Sequence, residues 1–221
     1  MGQAEPSRGC FVTLEGIDGC GKTTQAALLA AQLESTGRKV VRLREPGGTP
    51  IGEKIRALLL DPANSDMSDD CELLLYEAAR AQLVRQVIDP ALARGAIVLC
   101  DRFYDSTLAY QAGGRGIDAQ LVRLANTLGS CGVSPLRTIV LDLEPSLAFA
   151  RATKGGADRL EGEGLAFQNR VRQSYLQLAD EDPSRVRVVD ASGTVEEVFS
   201  RISQALADVL PLSCVEERSN G

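Results

Sequence analysis

Short apolar, β-favouring runs alternate along this chain with longer helical stretches. The runs are Cys10–Glu15, Val40–Leu43, Ala96–Asp101, Thr138–Leu143 and Val186–Asp190. Most are almost continuously apolar, as strands are when a parallel sheet is covered on both faces. Helices fill the intervals and mark their own ends. Lys22–Leu33 closes before Gly37, and Thr49 caps a helix with Pro50 at its first position. Ser68 precedes a long helical stretch to Val87, which Pro90 then interrupts. Asp118 caps a helix ending near Gly129. Thr194 and Glu197 form a T-x-x-E capping box for the last helix, which stops before Pro211. This alternation predicts a three-layer α/β fold, a five-stranded parallel sheet with helices on both faces. Ligands of such sheets bind at the carboxyl ends of the strands.

A chain of 221 residues suits a single domain, with a core from about residue 10 to about 210 and polar ends. The Gly- and charge-rich stretch at about 151–164 reads either as a surface loop or as a small lid that carries cations to bound phosphates. A formal net charge of −6 offers nucleic acid no general attraction, so phosphates must be met by a few locally placed Lys and Arg. No 18-residue apolar run and no charged-then-apolar leader is present, so no membrane partner is expected. The six cysteines, Cys10, Cys20, Cys71, Cys100, Cys131 and Cys214, form no C-x-x-C pair, which fits a reduced cytoplasmic protein. Cys10 and Cys100 read as buried strand residues. With no histidine at all, Ser-His-Asp and Cys-His catalysis and His-based zinc sites are excluded.

The chemistry is concentrated at Gly16-Ile17-Asp18-Gly19-Cys20-Gly21-Lys22-Thr23, a match to G-x-x-x-x-G-K-[ST] between a strand and a helix. Glycines let the backbone curl so that successive N–H groups face an anion, and the next helix adds its positive end. Lys22 supplies a point charge for the β- and γ-phosphates of ATP, and the Thr23 hydroxyl can ligate magnesium. Asp18 is a costly carboxylate inside an anion-binding loop, able to hold an acceptor hydroxyl, magnesium or a nearby arginine. Asp101 ends its strand and can hold a magnesium-bound water, orient Arg102 or cap a helix. A guanine-reading N-K-x-D is absent, which removes switch GTPases, and a helicase or transporter ATPase would be larger. A kinase of small molecules remains. A nucleotide-binding regulatory module is its rival from another class.

Four segments carry a more specific signal: Glu15-Gly-Ile-Asp-Gly-Cys-Gly-Lys-Thr-Thr24, Arg44-Glu-Pro-Gly-Gly-Thr49, Asp101-Arg102 followed by Ser106-Thr-Leu-Ala-Tyr-Gln111, and Asp158-Arg159-Leu-Glu161. Together, and in this order, they resemble bacterial thymidylate kinase. The resemblance implies a P-loop kinase fold with magnesium as cofactor. It implies transfer of the γ-phosphoryl group of ATP to dTMP, giving dTDP and ADP for dTTP biosynthesis, by a homodimer packed through helices. Another nucleoside monophosphate or deoxynucleoside kinase is the same-class rival.

The resemblance also implies an acceptor site. Tyr76 and Arg80, four apart on one helix face, would stack on thymine and donate to its carbonyl, although by pattern alone they read as core and surface. Arg102 would grip the 5′-phosphate with its planar fork. Thr107 and Tyr110 would contact the base and press on the sugar, with Gln111 and Glu45 as further lining. Gly19 stands where another branch of the family places an arginine. The branch with glycine there carries its cations in the lid, here Arg151, Lys154 and Arg159. The loop after Asp190 is a candidate for the adenine by position.

Overall fold

The structure is a computed structural model that describes residues 9–152 and 163–210. Strands β1 (Phe11–Glu15), β2 (Val40–Arg44), β3 (Ile97–Asp101), β4 (Arg137–Asp142) and β5 (Val186–Asp190) form one parallel sheet in the order β2-β3-β1-β4-β5. β1 thus lies between β3 and β4, with Leu14 opposite Asp101 and Glu15 opposite Val140. Chain segments leaving β1 and β3 emerge side by side.

The two-residue period of β1 divides the core. Val12 and Leu14 are buried with Leu29 and Leu33 of α1 (Lys22–Ser35) and with Ile202 and Leu206 of α9 (Val195–Leu206). Each leucine so buried contributes about 2 kcal/mol. Phe11 belongs to a second cluster with Val98, Cys100 and Phe103, together with Leu83 of α3 (Asp69–Leu83) and Ile88. Thr13 and Glu15 are buried polar exceptions in an otherwise apolar strand, and each is satisfied by hydrogen bonds. Thr13 shares a 2.9 Å hydrogen bond with Thr138 of β4, which in turn donates to Asp105. Arg185 closes this group with two bonds to Asp105.

The expected helix ends are largely found. Thr49 accepts from the Gly52 N–H to start α2 (Pro50–Leu60), and Ser68 accepts from Cys71 to start α3. Asp118 starts α6 (Ala119–Gly129), and the Thr194–Glu197 capping box opens α9. The expectation at Pro90 needs correction. The chain passes through a π turn at Val84–Ile88 and continues as α4 (Asp89–Ala93), with Pro90 in its first turn. The Asp89 N–H bonds to Val84 O, five residues back, and this wider register relieves the clash that the proline ring makes with a regular helix. Cys10 is only partly buried and precedes β1, whereas Cys100 is buried in β3.

Candidate active site

The loop 16–21 leaves β1 and enters α1 through three glycines at positive φ, 129° at Gly16, 80° at Gly19 and 100° at Gly21. A Cβ at Gly16 would lie 2.5 Å from Leu141 O, and one at Gly19 would lie 2.1 Å from Ala148 O in α7 (Pro145–Ala152). An arginine at position 19 would therefore collide with the backbone of α7, and glycine is the residue this packing admits. The side chains of Ile17 and Cys20 are buried in the core, which leaves the loop's polar backbone for a ligand. Lys22 folds over the same loop, its Nζ donating to Gly16 O at 3.0 Å and Ile17 O at 2.8 Å. Thr23 Oγ1 donates to Asp101 Oδ2 at 2.7 Å, which brings the two expected metal-site residues together.

Above the loop is a cavity of about 710 Å³, within the range of small-molecule sites. This acidic chain gathers Lys22, Arg44, Arg56, Arg102 and Arg151 around it. Its far wall is Ala191, Gly193 and Thr194, from the segment expected to face adenine. A second, narrower cavity of about 80 Å³ lies beside it, lined by Tyr76, Thr107, Tyr110 and Gln111 among others. That volume is below the roughly 300 Å³ at which ligand pockets begin. Asp18, Glu45, Arg56 and Arg102 line both cavities.

Arg102 stands at this junction. Its Nη2 donates to Asp18 Oδ1 at 2.5 Å and to Tyr110 OH at 2.9 Å, and its Nη1 donates to Gly16 O at 3.0 Å. Tyr110 completes the triangle by donating to Asp18 Oδ2 at 2.9 Å, with the Arg102 guanidinium 4.9 Å from its ring centre. Burial alone would raise the Asp18 carboxyl, but Arg102, Lys22 and the Tyr110 hydrogen bond outweigh it and hold it at about 2. Asp18 is therefore an ionised clamp on Arg102, and its cost inside an anion-binding loop is offset by that pairing.

Arg80 lies deeper than its sequence position suggested. It is 1 % exposed and does not line either cavity. Its Nε donates to Glu45 at 2.8 Å, Nη1 to Glu77 at 2.5 Å and Asn126 at 3.1 Å, and Nη2 to Thr107 at 2.8 Å. A guanidinium has five N–H groups, so one remains beyond these four bonds. Burial opposes the charge on Arg80, yet Glu45 and Glu77 hold it charged. Two buried carboxyls thus share one guanidinium. Burial pushes Glu45 up to about 7, against the pull of Arg80 and with help from Glu77. Gln111 is likewise tied back, donating to Glu72 at 2.7 Å.

Of the other expected residues, Tyr76 is half-buried against the core, and Arg151 is exposed at the end of α7. Lys154 and Arg159 lie outside the described residues. Glu15, Ser106, Tyr175, Arg44 and Arg56 also meet at the site, and sequence reasoning assigned none of them a role. Glu15, Ser106 and Arg44 stand within the segments that carry the resemblance. Glu15 carries a further signal, a carboxylate in a run otherwise fit for burial.

Glu15 and Glu45 predict a pH dependence. Burial and then Asp105 raise Glu15 to about 7, as burial raises Glu45, against an ordinary 4.5. The folded protein keeps these protons while the unfolded chain releases them. Their contribution to stability is therefore full below about 4.5 and lost as pH rises through about 7. With no histidine to titrate in this range, the urea midpoint is expected to fall from about pH 5 to about pH 7.5, and Glu45→Gln should flatten the fall. An unchanged slope in that variant would show an ordinary Glu45.

An anion-binding loop at the carboxyl edge of a parallel sheet, joined to a second cavity through an arginine, defines a P-loop phosphotransferase. A family model described as thymidylate kinase matches residues 14–202. A thymidylate kinase of Trichlorobacter lovleyi is 51 % identical over 203 residues, covering 89 % of this chain and 96 % of that one. Another, of Desulfosudis oleivorans, is 50 % identical over 207 residues, covering 90 % and 97 %. The crystal structure of thymidylate kinase from Ehrlichia chaffeensis superposes with a TM-score of 0.73 at 34 % identity, covering 90 % and 99 %. The chain belongs to the thymidylate kinase family, and its fold is the family's.

Proposed function

We propose that the larger cavity binds ATP, the narrower one binds dTMP, and the γ-phosphoryl group passes between them at Arg102, giving dTDP and ADP. The observation that carries this reading is the lining shared by the two cavities, Asp18, Glu45, Arg56 and Arg102. The amides of Ile17 to Gly21 cradle the phosphates, and Lys22 leaves its two carbonyl partners for the more strongly charged β- and γ-oxygens. Arg102 holds the acceptor 5′-phosphate, with Asp18 and Tyr110 keeping its fork in plane. Tyr76 covers the base, the remaining Arg80 N–H meets a base carbonyl, and Thr107 and Gln111 complete the lining. Ala191 to Thr194 border the adenine.

Among the described residues no cluster of three or more His, Cys, Asp or Glu could hold a metal. Magnesium needs no such cluster, because one or two protein oxygens and the nucleotide's phosphates serve it. Thr23 Oγ1 and Asp101 Oδ2, 2.7 Å apart beside the loop, are hard oxygen donors that fit it. When bound, magnesium neutralises phosphate charge. Closure over the site falls to the segment of about 151–164, where Arg151 already borders the ATP cavity. Lys154 and Arg159 come to this role by resemblance alone. Water excluded by closure cannot take the phosphoryl group.

A homodimer and a cytoplasmic location belong to the same proposal. The packed helices α3 and α6 leave Leu74, Leu121, Leu124 and Leu128 exposed. The five described cysteines are free, as in a reducing compartment. Among the described residues no helix is long and apolar enough to cross a membrane. The test of function is an acceptor panel of dTMP, dUMP, AMP, GMP and thymidine, with ADP release as readout. The expected result is turnover with dTMP well above every other acceptor. Tight ATP binding without transfer to any of them would favour a regulatory module instead.

A further inference from the structure

We propose that Glu15 is a positioning residue that aims the Arg102 guanidinium at the acceptor phosphate. This deepens the assignment of Arg102 and rests on it. Glu15 ends β1, one residue before the loop, and is 0 % exposed. Its Oε1 accepts the Phe103 N–H at 2.6 Å, and its Oε2 accepts the Ser106 hydroxyl at 2.6 Å and the Tyr175 hydroxyl at 2.8 Å. Each of these three donors is one step from Arg102. Phe103 is its neighbour in the chain, and Arg102 itself has a φ of 73°, a left-handed conformation that costs a non-glycine residue energy. The turn is held against β1 on both sides, by the Arg102 N–H on Leu14 O at 2.9 Å and by the Phe103 N–H on Glu15.

The other two donors act on the side chain. Ser106 Oγ and Tyr175 OH each accept from Arg102 Nη1, both at 3.2 Å. Each hydroxyl owns one hydrogen, and although the two oxygens lie 2.8 Å apart, a charged Glu15 Oε2 is the stronger acceptor and takes both, so their lone pairs turn toward the guanidinium. Once ionised, as at about pH 8, the carboxylate sets the polarity of a relay from Glu15 through two hydroxyls to Arg102. That relay fixes the Nη1 edge of the fork, while Asp18 and Tyr110 fix the Nη2 edge. The four Nη hydrogens are shared among these partners, so an incoming phosphate exchanges with the weaker of them while the rest hold the plane of the fork, and the relay bears on acceptor binding more than on ATP binding.

Glu15→Gln keeps the shape and leaves an acceptor for the Phe103 N–H. Its amide NH₂ would face the hydroxyls as a donor and turn their hydrogens onto Arg102. At about pH 8, the KM for dTMP should rise roughly 10- to 30-fold, while the Kd of a non-hydrolysable ATP analogue stays within about twofold. In an Arg102→Lys background the same change should add less than about twofold, because its effect passes through the guanidinium. Equal weakening of ATP and dTMP, or the full rise persisting beside Lys at 102, would make Glu15 a prop of the loop and overturn the proposal. An unchanged KM in Glu15→Gln would also overturn it. If Arg102→Lys alone leaves the dTMP KM unaltered, the Arg102 assignment itself is wrong, and the proposal goes with it. Should Glu15→Gln fail to fold, Tyr175→Phe removes one hydroxyl from the relay. It should raise the dTMP KM about fivefold, and only with Arg102 present. No rise there would sink the idea.

Discussion

Replacing Lys22 with alanine is expected to lower kcat roughly a thousandfold while the protein stays folded. The reasoning begins with what Lys22 touches. Its ammonium is buried at the mouth of the loop and donates to neutral acceptors, Gly16 O and Ile17 O, with a 3.7 Å contact to Cys20 Sγ. Losing two hydrogen bonds from a charged donor costs roughly 1.5–3 kcal/mol each, less the cost of burying the ammonium, and a domain stable by about 5–15 kcal/mol stays folded. In the proposed reaction the same charge faces the β- and γ-oxygens, where negative charge is redistributed as the phosphoryl group leaves. Stabilisation realised there and not in the folded apo-protein appears in kcat rather than in the unfolding midpoint. Steady-state kinetics beside a urea melt separate the two. A near-normal kcat would remove the loop lysine from the chemistry.

Arg102→Ala is expected to cut kcat/KM for dTMP roughly a thousandfold, with a much smaller change in the ATP parameters. Arg102→Lys should fall between, because lysine restores the charge but not the fork. The alanine change also strands Asp18. In the intact protein Asp18 is held at about 2, below its ordinary 3.8, so it contributes stability at pH above 3.8 that is lost as pH falls toward 2. Without Arg102 that contribution disappears, and a half-buried carboxylate is left with the charge of Lys22 and the Tyr110 hydroxyl. The variant should therefore be less stable at neutral pH, and less dependent on pH on the acid side. Equal losses in the ATP and dTMP parameters would place Arg102 in the loop's own architecture rather than at the acceptor.

The parts of the site legible in sequence were those made by neighbours in the chain. Gly16 to Thr23 form a phosphate loop because glycines at positive φ and a helix start are local matters, settled within eight residues. The caps at Thr49, Ser68, Asp118 and Thr194 were equally local. The π turn at Val84–Ile88 and the second at Leu108–Gly114, which carries Tyr110 and Gln111, were not legible. Nothing in their residue types distinguishes a bond five residues back from one four back. Arg80 was readable as a helix-face partner of Tyr76. Its burial among Glu45, Asn126 and Thr107 was not, since these come from three other segments, and only Glu77 is a neighbour on its own helix.

By itself, then, the chain's pattern determined strands covered on both faces, a glycine loop curled ahead of a helix, and the absence of histidine chemistry, because apolar periodicity, glycine freedom and residue chemistry are properties of short stretches. Tertiary structure alone decided the strand order that lays β3 against β1. That adjacency brings Arg102 to Asp18 across 84 residues, and the packing of the helix Gly164–Glu181 brings Tyr175 to Glu15 across 160. It also decided which carboxyls carry protons near neutrality, since desolvation and the company of other charges exist only once the segments have packed.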